Sequence, residues 1–291
     1  MIQKGKEYKE YIVAGSSSAK TRQGKDYCHL KLRAEGGEER TVSVWDVKPE
    51  ERPGVGEIVA FKDLQEREGY FSAAKESLRR CGPALPSHPL YALIPRPVSR
   101  EEWQAVIDKL RALCADAQLA ALVVSLANTL FSTYATHPAA KSMHHAFPGG
   151  LLNHTYQMLT MLEAIHRGLP FPVRIDHCAL AILFHDYGKA YEYQANGDIR
   201  EDMPLLGHVF ISANRIYGFL KEQGVAEEEI KRIVHIVLAH HGSHEFGSPV
   251  LPATKEAILV HALDNLSAKM DAHEGTPHME RCFALDTNAV K

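Results

Sequence analysis

Residues 176–189, DHCALAILFHDYGK, join an apolar run to a histidine and an aspartate. The spacing predicts a helix over 176–187, with His185 three residues after Ile182 and so on the same face. Asp186 stands between Phe184 and Tyr187. An apolar setting of that kind destabilises a lone carboxylate by several kcal/mol unless a cation or a donor compensates it. A divalent metal compensates both the carboxylate charge and an imidazole lone pair.

The helical period extends well beyond this stretch. After residue 99, Trp103, Val106, Ile107, Leu110 and Leu113 recur at intervals of three and four, as do Leu151, Leu152, Thr155, Met158, Leu159 and Leu162. Further helices are expected at 205–222, 227–241 and 254–271. Ser99 followed by Glu101 and Glu102 reads as an N-cap with an acidic first turn. Residues 99–291 are therefore expected to form an all-α bundle. On its helices sit His154, His208, His240, His241 and Asp264, with His154 three residues after Leu151 and His241 four after Val237. A single histidine on an apolar face is usually a satisfied core residue. A set this large, drawn from separate helices, points instead to a metal site inside a bundle. The chain has 17 histidines, most of them beyond residue 130.

Toward the N-terminus the period drops to two. Cys28, Leu30 and Leu32 alternate with Tyr27, His29, Lys31 and Arg33, and Val42 and Val44 alternate with Thr41, Ser43 and Trp45. With runs at 58–61 and 70–72 and glycines between them, residues 1–80 are expected to form about five strands of a small all-β OB-type barrel, an SH3-like barrel being the alternative. If the aliphatic residues face inward, then Tyr27, His29, Lys31 and Trp45 share the outward face. Rings there stack bases and cations track phosphates, as single-stranded nucleic acid requires. The plainer reading is that Trp45 covers a sheet edge. Residues 81–98 hold five prolines, which forbid a continuous helix and mark a linker.

The bulk properties are those of a globular chain, 45% hydrophobic and 24% charged over 291 residues. No apolar run approaches the roughly 20 residues of a membrane span, and the first residues lack a secretion signal. Cys28, Cys81, Cys114, Cys178 and Cys282 form no Cys-x-x-Cys pair, as expected of reduced thiols in a cytoplasm. The net charge of −3 does not advertise nucleic acid; residues 1–80 are mildly basic and the remainder acidic.

The ordered set His154, His185-Asp186 and Asp264 resembles the His…His-Asp…Asp signature of the HD superfamily of metal-dependent phosphohydrolases. His185-Asp-Tyr-Gly-Lys189 fits its HD-x-G-K form, and His208 and His240-His241 match the further ligands of its two-metal branch. Three segments, 144–154, 240–249 and 264–271, resemble the YhaM-type 3′–5′ exoribonucleases, which also carry an OB-type domain before the HD domain. Phe246 and Ser267 depart from that pattern, and neither is expected to touch a ligand. The resemblance implies a first metal held by His154, His185, Asp186 and Asp264. It implies a second held by His208, His240 and His241, with Asp186 bridging and the nucleophilic water between the two ions. Manganese suits these mixed donors, with iron next; magnesium prefers oxygen ligands. The implied substrate is single-stranded RNA or DNA.

Asp186 and Lys189 are the expected catalytic residues. Gly188 is expected to end the helix in a left-handed cap, and the Lys189 ammonium to offset charge developing on the phosphoryl oxygens; a lysine favoured by the helix dipole is the alternative. Lys269 is a further candidate for contact with phosphate, His144 and His145 for lining the entrance, and Glu245 for orienting a histidine. Two competing functions remain at this stage. One is an HD phosphohydrolase of nucleotides or cyclic dinucleotides. The other is a non-catalytic RNA-binding protein with a structural metal, although the donors outnumber one closed four-coordinate site. The oligomeric state is open.

Overall fold

A computed structural model describes residues 8–67, 70–85, 87–140, 144–194, 200, 203–274, 281–282 and 284–290. Residues 1–7 of the expected barrel and Pro86 of the expected linker lie outside them. Seven strands form the N-terminal sheet: β1 (Glu10–Lys20), β2 (Asp26–Arg33), β3 (Glu39–Trp45), β4 (Glu57–Phe61), β5 (Gln65–Arg67), β6 (Tyr70–Ala74) and β7 (Leu78–Pro83). Their order is β5-β6-β3-β2-β1-β4-β7, antiparallel except for β3 beside β6. The long β1 pairs with both β2 and β4 and carries a bulge between Val13 and Gly15, which lets one strand bend through both halves of the fold. Cys28, Leu30, Leu32, Val42, Val44, Val59 and Phe71 fill the concave side.

This is an OB-type arrangement whose sheet does not close, because β5 and β7 do not pair with each other among the described residues. It has more strands than the five or so expected. The three residues of β5 are all exposed and β7 has no fully buried residue, so neither carries an apolar alternation; backbone ladders to β6 and β4 hold them.

Among its described residues the proline-rich segment contains no α-helix, as expected, but it is not a free tether. A 3-10 turn at Pro89–Leu93 buries Leu90 against Ile12 and Ile58. The Arg33 guanidinium donates to the Leu93 carbonyl at 3.2 Å. At the far end the Asn153 side chain accepts from Val98 N at 2.9 Å and donates to the Arg96 carbonyl at 3.1 Å. The segment straps the sheet to the helices.

The helices are α1 (Arg100–Leu113), α2 (Ala117–Tyr134), α3 (Gly150–Ile165), α4 (Ile175–Phe184), α5 (Lys189–Glu192), α6 (Met203–Leu206), α7 (His208–Glu222), α8 (Glu227–Ala239) and α9 (Lys255–Glu274). A short hairpin of β8 (Arg281–Cys282) and β9 (Thr287–Asn288) follows. Ser99 caps α1 as expected, its Oγ accepting from Glu102 N while the Glu102 carboxylate accepts from Ser99 N. Helix α2 buries Leu119, Leu122, Val123, Leu126 and Leu130 on one face and exposes Gln118, Ser125, Asn128 and Thr129 on the other. Among the described residues it alone has the length and apolarity of a membrane span, yet Leu119, Val123, Leu126 and Leu130 are packed in the core. All five cysteines are free thiols.

Helix α4 is the axle of the bundle: every residue from Asp176 to Phe184 is buried, and α1, α2, α3, α8 and α9 pack around it. A charge in its first turn therefore needs partners. Asp176 accepts from Arg174 Nε at 2.9 Å and Nη2 at 3.0 Å, and from His177 N at 2.9 Å. Burial pushes its carboxyl up, but the Arg174 hydrogen bonds, the His177 N–H and the guanidinium charge together hold it below the usual aspartate range. A depressed native pKa contributes stability that is complete above the unfolded value and is lost as pH falls through the native one. Asp176→Asn should thus cost about 2 kcal/mol at neutral pH. In urea unfolding, the gap between the variant and the wild type should narrow as the medium is acidified.

Candidate metal centre

Five helices converge at the end of α4. His154 projects from the first turns of α3, His185 and Asp186 follow α4, His208 opens α7, His240 and His241 follow α8, and Asp264 lies midway along α9. His154 Nε2 is 3.2 Å from His185 Nε2 and 3.1 Å from Asp264 Oδ1. Asp186 Oδ2 lies 3.3 Å from His185 Nε2 and 3.8 Å from His154 Nε2. Its other oxygen, Oδ1, faces the opposite way, 3.7 Å from His208 Nε2 and 3.8 Å from His240 Nε2. His208 Nε2 and His241 Nε2 are 3.3 Å apart. Two groups, His154-His185-Asp186 and His208-His240-His241, each have donor atoms close enough to share one ion.

Hydrogen bonding around the rings decides what these nitrogens offer. His185 Nδ1 donates to the Ile182 carbonyl at 2.7 Å, and His240 Nδ1 to the Val237 carbonyl at 2.6 Å. His208 Nδ1 donates to Glu192 Oε1 at 3.1 Å. Ser267 Oγ donates to Gln157 Oε1, so it must accept from His154 Nδ1, 2.9 Å away. A neutral imidazole whose Nδ1 carries the proton has a lone pair on Nε2. Four such lone pairs point inward at a carboxylate, and lone pairs 3.2 Å apart cannot hydrogen-bond each other. Buried His240 Nε2 and Asp186 Oδ1 have no hydrogen-bond partner, and Asp186 Oδ2 is met by the single ammonium of Lys189 at 2.7 Å. Only a cation satisfies that arrangement in full, and the residues fit divalent metal.

Burial pulls the His185 imidazole down, but Asp186 beside it keeps it raised, so a divalent ion at its Nε2 would displace a proton. Burial pushes the Asp186 carboxyl up, but Lys189 and His185 beside it hold it well below the usual carboxylate range. For Asp264, burial is likewise outweighed, chiefly by the His154 imidazole, whose Nε2 lies 3.1 Å away. Burial pulls the Lys189 ammonium down, yet Asp186, 2.7 Å from Nζ, keeps it raised. Burial followed by neighbouring imidazoles lowers His240 and His241, which stay neutral and keep their lone pairs.

A cavity of about 410 Å³ opens beside these groups. Its walls include His144, Lys189, Phe246, Asn265 and Lys269, with Asp186 and Asp264 at the deep end. Residues 151–269 match the family of the HD domain. That segment of the chain is an HD domain. The chain is 26% identical over 297 residues to the 3′-5′ exoribonuclease YhaM of Bacillus velezensis, a similarity that spans 96% of this chain and 92% of that protein. No solved structure gives a significant match. The HD domain makes the protein a metal-dependent hydrolase.

The HD centre differs from the sequence reading in several particulars. Lys31 does not face solvent: it is 8% exposed, with Nζ 3.8 Å from Glu39 and 4.0 Å from Asp271, so it cannot track phosphates on an open face. Tyr27, His29 and Trp45 do cluster, the Tyr27 ring 4.9 Å from Trp45 and 5.0 Å from His29. Gly188 is not a left-handed cap. Its φ is −60° and the chain continues directly into α5. What requires glycine there is His208, whose backbone oxygen would lie 2.4 Å from an added Cβ. Ser267 does touch a metal-site histidine, as the donor-acceptor chain above shows. Glu192, not the exposed Glu245, orients a histidine, accepting from both His208 N and Nδ1. Nothing in the local pattern around Glu192 or Ser267 signals this, because their partners lie far along the chain.

The Gly188 contact is directly testable. Gly188→Ala should cost about 1–3 kcal/mol of stability through overpacking. By displacing His208 it should also weaken manganese binding about tenfold or more. Titration calorimetry on the metal-free variant reads this, and unchanged affinity would remove His208 from the donor set.

Proposed function

We propose that the protein is a two-metal phosphodiesterase that degrades single-stranded RNA from the 3′ end, working in the cytoplasm. The observation that carries this reading is Asp186, whose two oxygens face separate groups of imidazole lone pairs at the floor of a cavity. His154, His185, Asp186 and Asp264 would hold one ion, and His208, His240 and His241 the other, with Asp186 shared. Bound divalent cations supply the acidity that makes water nucleophilic at neutral pH and the charge that offsets the phosphodiester. Manganese suits the donors best, iron next.

The chain's own residues do the rest. Glu192 and Ser267 fix the tautomers of His208 and His154. Lys189 brings an ammonium to the cavity wall, where it can neutralise the phosphoryl oxygens. Lys269 reaches the same cavity from α9 and would hold a neighbouring phosphate, and Phe246, 73% exposed on its rim, offers a ring on which a terminal base can stack. Residues 1–80 would bind the strand through Tyr27, His29 and Trp45, residues 81–98 would join them, and residues 99–291 would carry the chemistry. The relative from Bacillus velezensis, a 3′-5′ exoribonuclease, supports RNA and the polarity.

The decisive experiment combines metal analysis with hydrolysis of a 5′-labelled and a 3′-labelled RNA strand in manganese, with single-stranded DNA, a nucleotide and a cyclic dinucleotide alongside. Early release of the 3′ label and progressive shortening of the 5′-labelled strand are expected. Cleavage of the nucleotide or cyclic dinucleotide alone would replace this reading with the nucleotide-hydrolase one. Asp186→Ala should lose both metal and hydrolysis while the N-terminal sheet stays folded. Trp45→Ala should weaken binding of a twelve-nucleotide strand about tenfold, since one base–ring stack contributes roughly 1–3 kcal/mol.

A further inference from the structure

Among the described residues, the N-terminal domain packs against the segment beside the metal centre. At the β1 bulge, Gly15 packs so closely on the 144–147 segment that a Cβ would lie 2.4 Å from the Ala146 oxygen. Beside it Lys31, on β2, extends its ammonium to Asp271 in the last turns of α9. Asp271 Oδ2 accepts from His145 N at 2.7 Å, and Oδ1 is 3.7 Å from His145 Nε2.

His145 is held in a conformation it would not choose. Its φ is 45°, a left-handed backbone that costs a non-glycine residue free energy and persists only where neighbours impose it. Its carbonyl accepts from Ala139 N and Phe147 N, and Gly150 is glycine because a Cβ there would sit 1.8 Å from that oxygen. The constrained turn packs the buried His145 ring 5.2 Å from the His154 ring and turns His144 toward the cavity, 5.8 Å from His154.

We infer that Lys31 and Asp271 are positioning residues for hydrolysis, through which the N-terminal domain sets the His144–His145 turn against the metal centre. A buried lysine adds little net adhesion between two domains, since an apolar residue of similar size packs as well or better. What the ion pair adds is direction: it aims the Asp271 carboxylate at His145 N. The domain taken for a strand-binding module is thus also part of the frame of the active site. The inference rests on the proposed function only in requiring that a phosphodiester be cut.

The test uses the full chain loaded with manganese and bis(p-nitrophenyl) phosphate, a diester too small to reach Tyr27 or Trp45. Lys31→Met and Asp271→Asn should each lower kcat about tenfold or more, the size expected when a catalytic frame shifts by a fraction of an ångström to one ångström. KM and metal stoichiometry should hold. Lys31→Arg should recover much of the loss, and the double variant should be no slower than either single one, as for residues acting in one chain of contacts. Lys75→Met, which removes a surface pair with Glu51 elsewhere on the same domain, should match the wild type. Without any metal, the histidine ring resonances of 144 and 145 should shift in Lys31→Met. Unchanged kcat, unshifted resonances, or a loss that follows melting temperature and is not recovered by arginine would each overturn the inference. An enzyme that cleaves the small diester but not RNA would defeat the RNA reading and leave this one standing.

Discussion

Everything in the helical domain is arranged around one carboxylate in an apolar setting. Asp186 is 1% exposed, and its position at the end of α4 is fixed by a helix buried on all sides. No isolated carboxylate is stable there. Lys189 compensates it in part, and the rest would come from cations held by four imidazoles whose Nδ1 protons are already committed. Each comes with its own support: a carbonyl for His185 and His240, Glu192 for His208, Ser267 for His154. The centre is therefore a two-layer structure in which the outer layer sets which nitrogen faces inward.

Much of that inner layer was readable because it violates the local rule. A histidine and an aspartate closing an apolar run are conspicuous, and His154, His208, His240, His241 and Asp264 lie on or beside apolar faces in the same manner. The outer layer breaks no local rule. Glu192 and Ser267 look like ordinary polar residues until the fold brings His208 and His154 to them. Gly188 was misread for a related reason: glycine after a helix usually marks a cap, whereas here the constraint comes from the backbone of His208, on another helix.

The N-terminal sheet shows the same limit. A period of two correctly sorts β2 into an aliphatic face and a polar one. It cannot tell whether the polar face meets water or another domain, and in β2 it meets both: Tyr27 and His29 are partly open, while Lys31, farther along the same face, is covered. Strands β5 and β7 were invisible because no apolar pattern accompanies a strand held by its ladder alone. The proline-rich segment carries no regular period either, and only the fold shows Leu90 sealing the base of the sheet and Asn153 pinning the other end.

The spacing of the donors along the chain has a thermodynamic consequence. Between His154 on α3 and Asp264 on α9 the described residues form five further helices, α4 to α8, and bringing those ends together is an entropic cost that folding of the core has already met. An unfolded chain offers no comparable site, so each ion bound acts as a reversible crosslink among helices. At a free concentration a hundred times its dissociation constant, such an ion adds about 2.7 kcal/mol to the native state. Chelation should accordingly be felt as softening of the whole bundle, well away from the cavity where the ions sit.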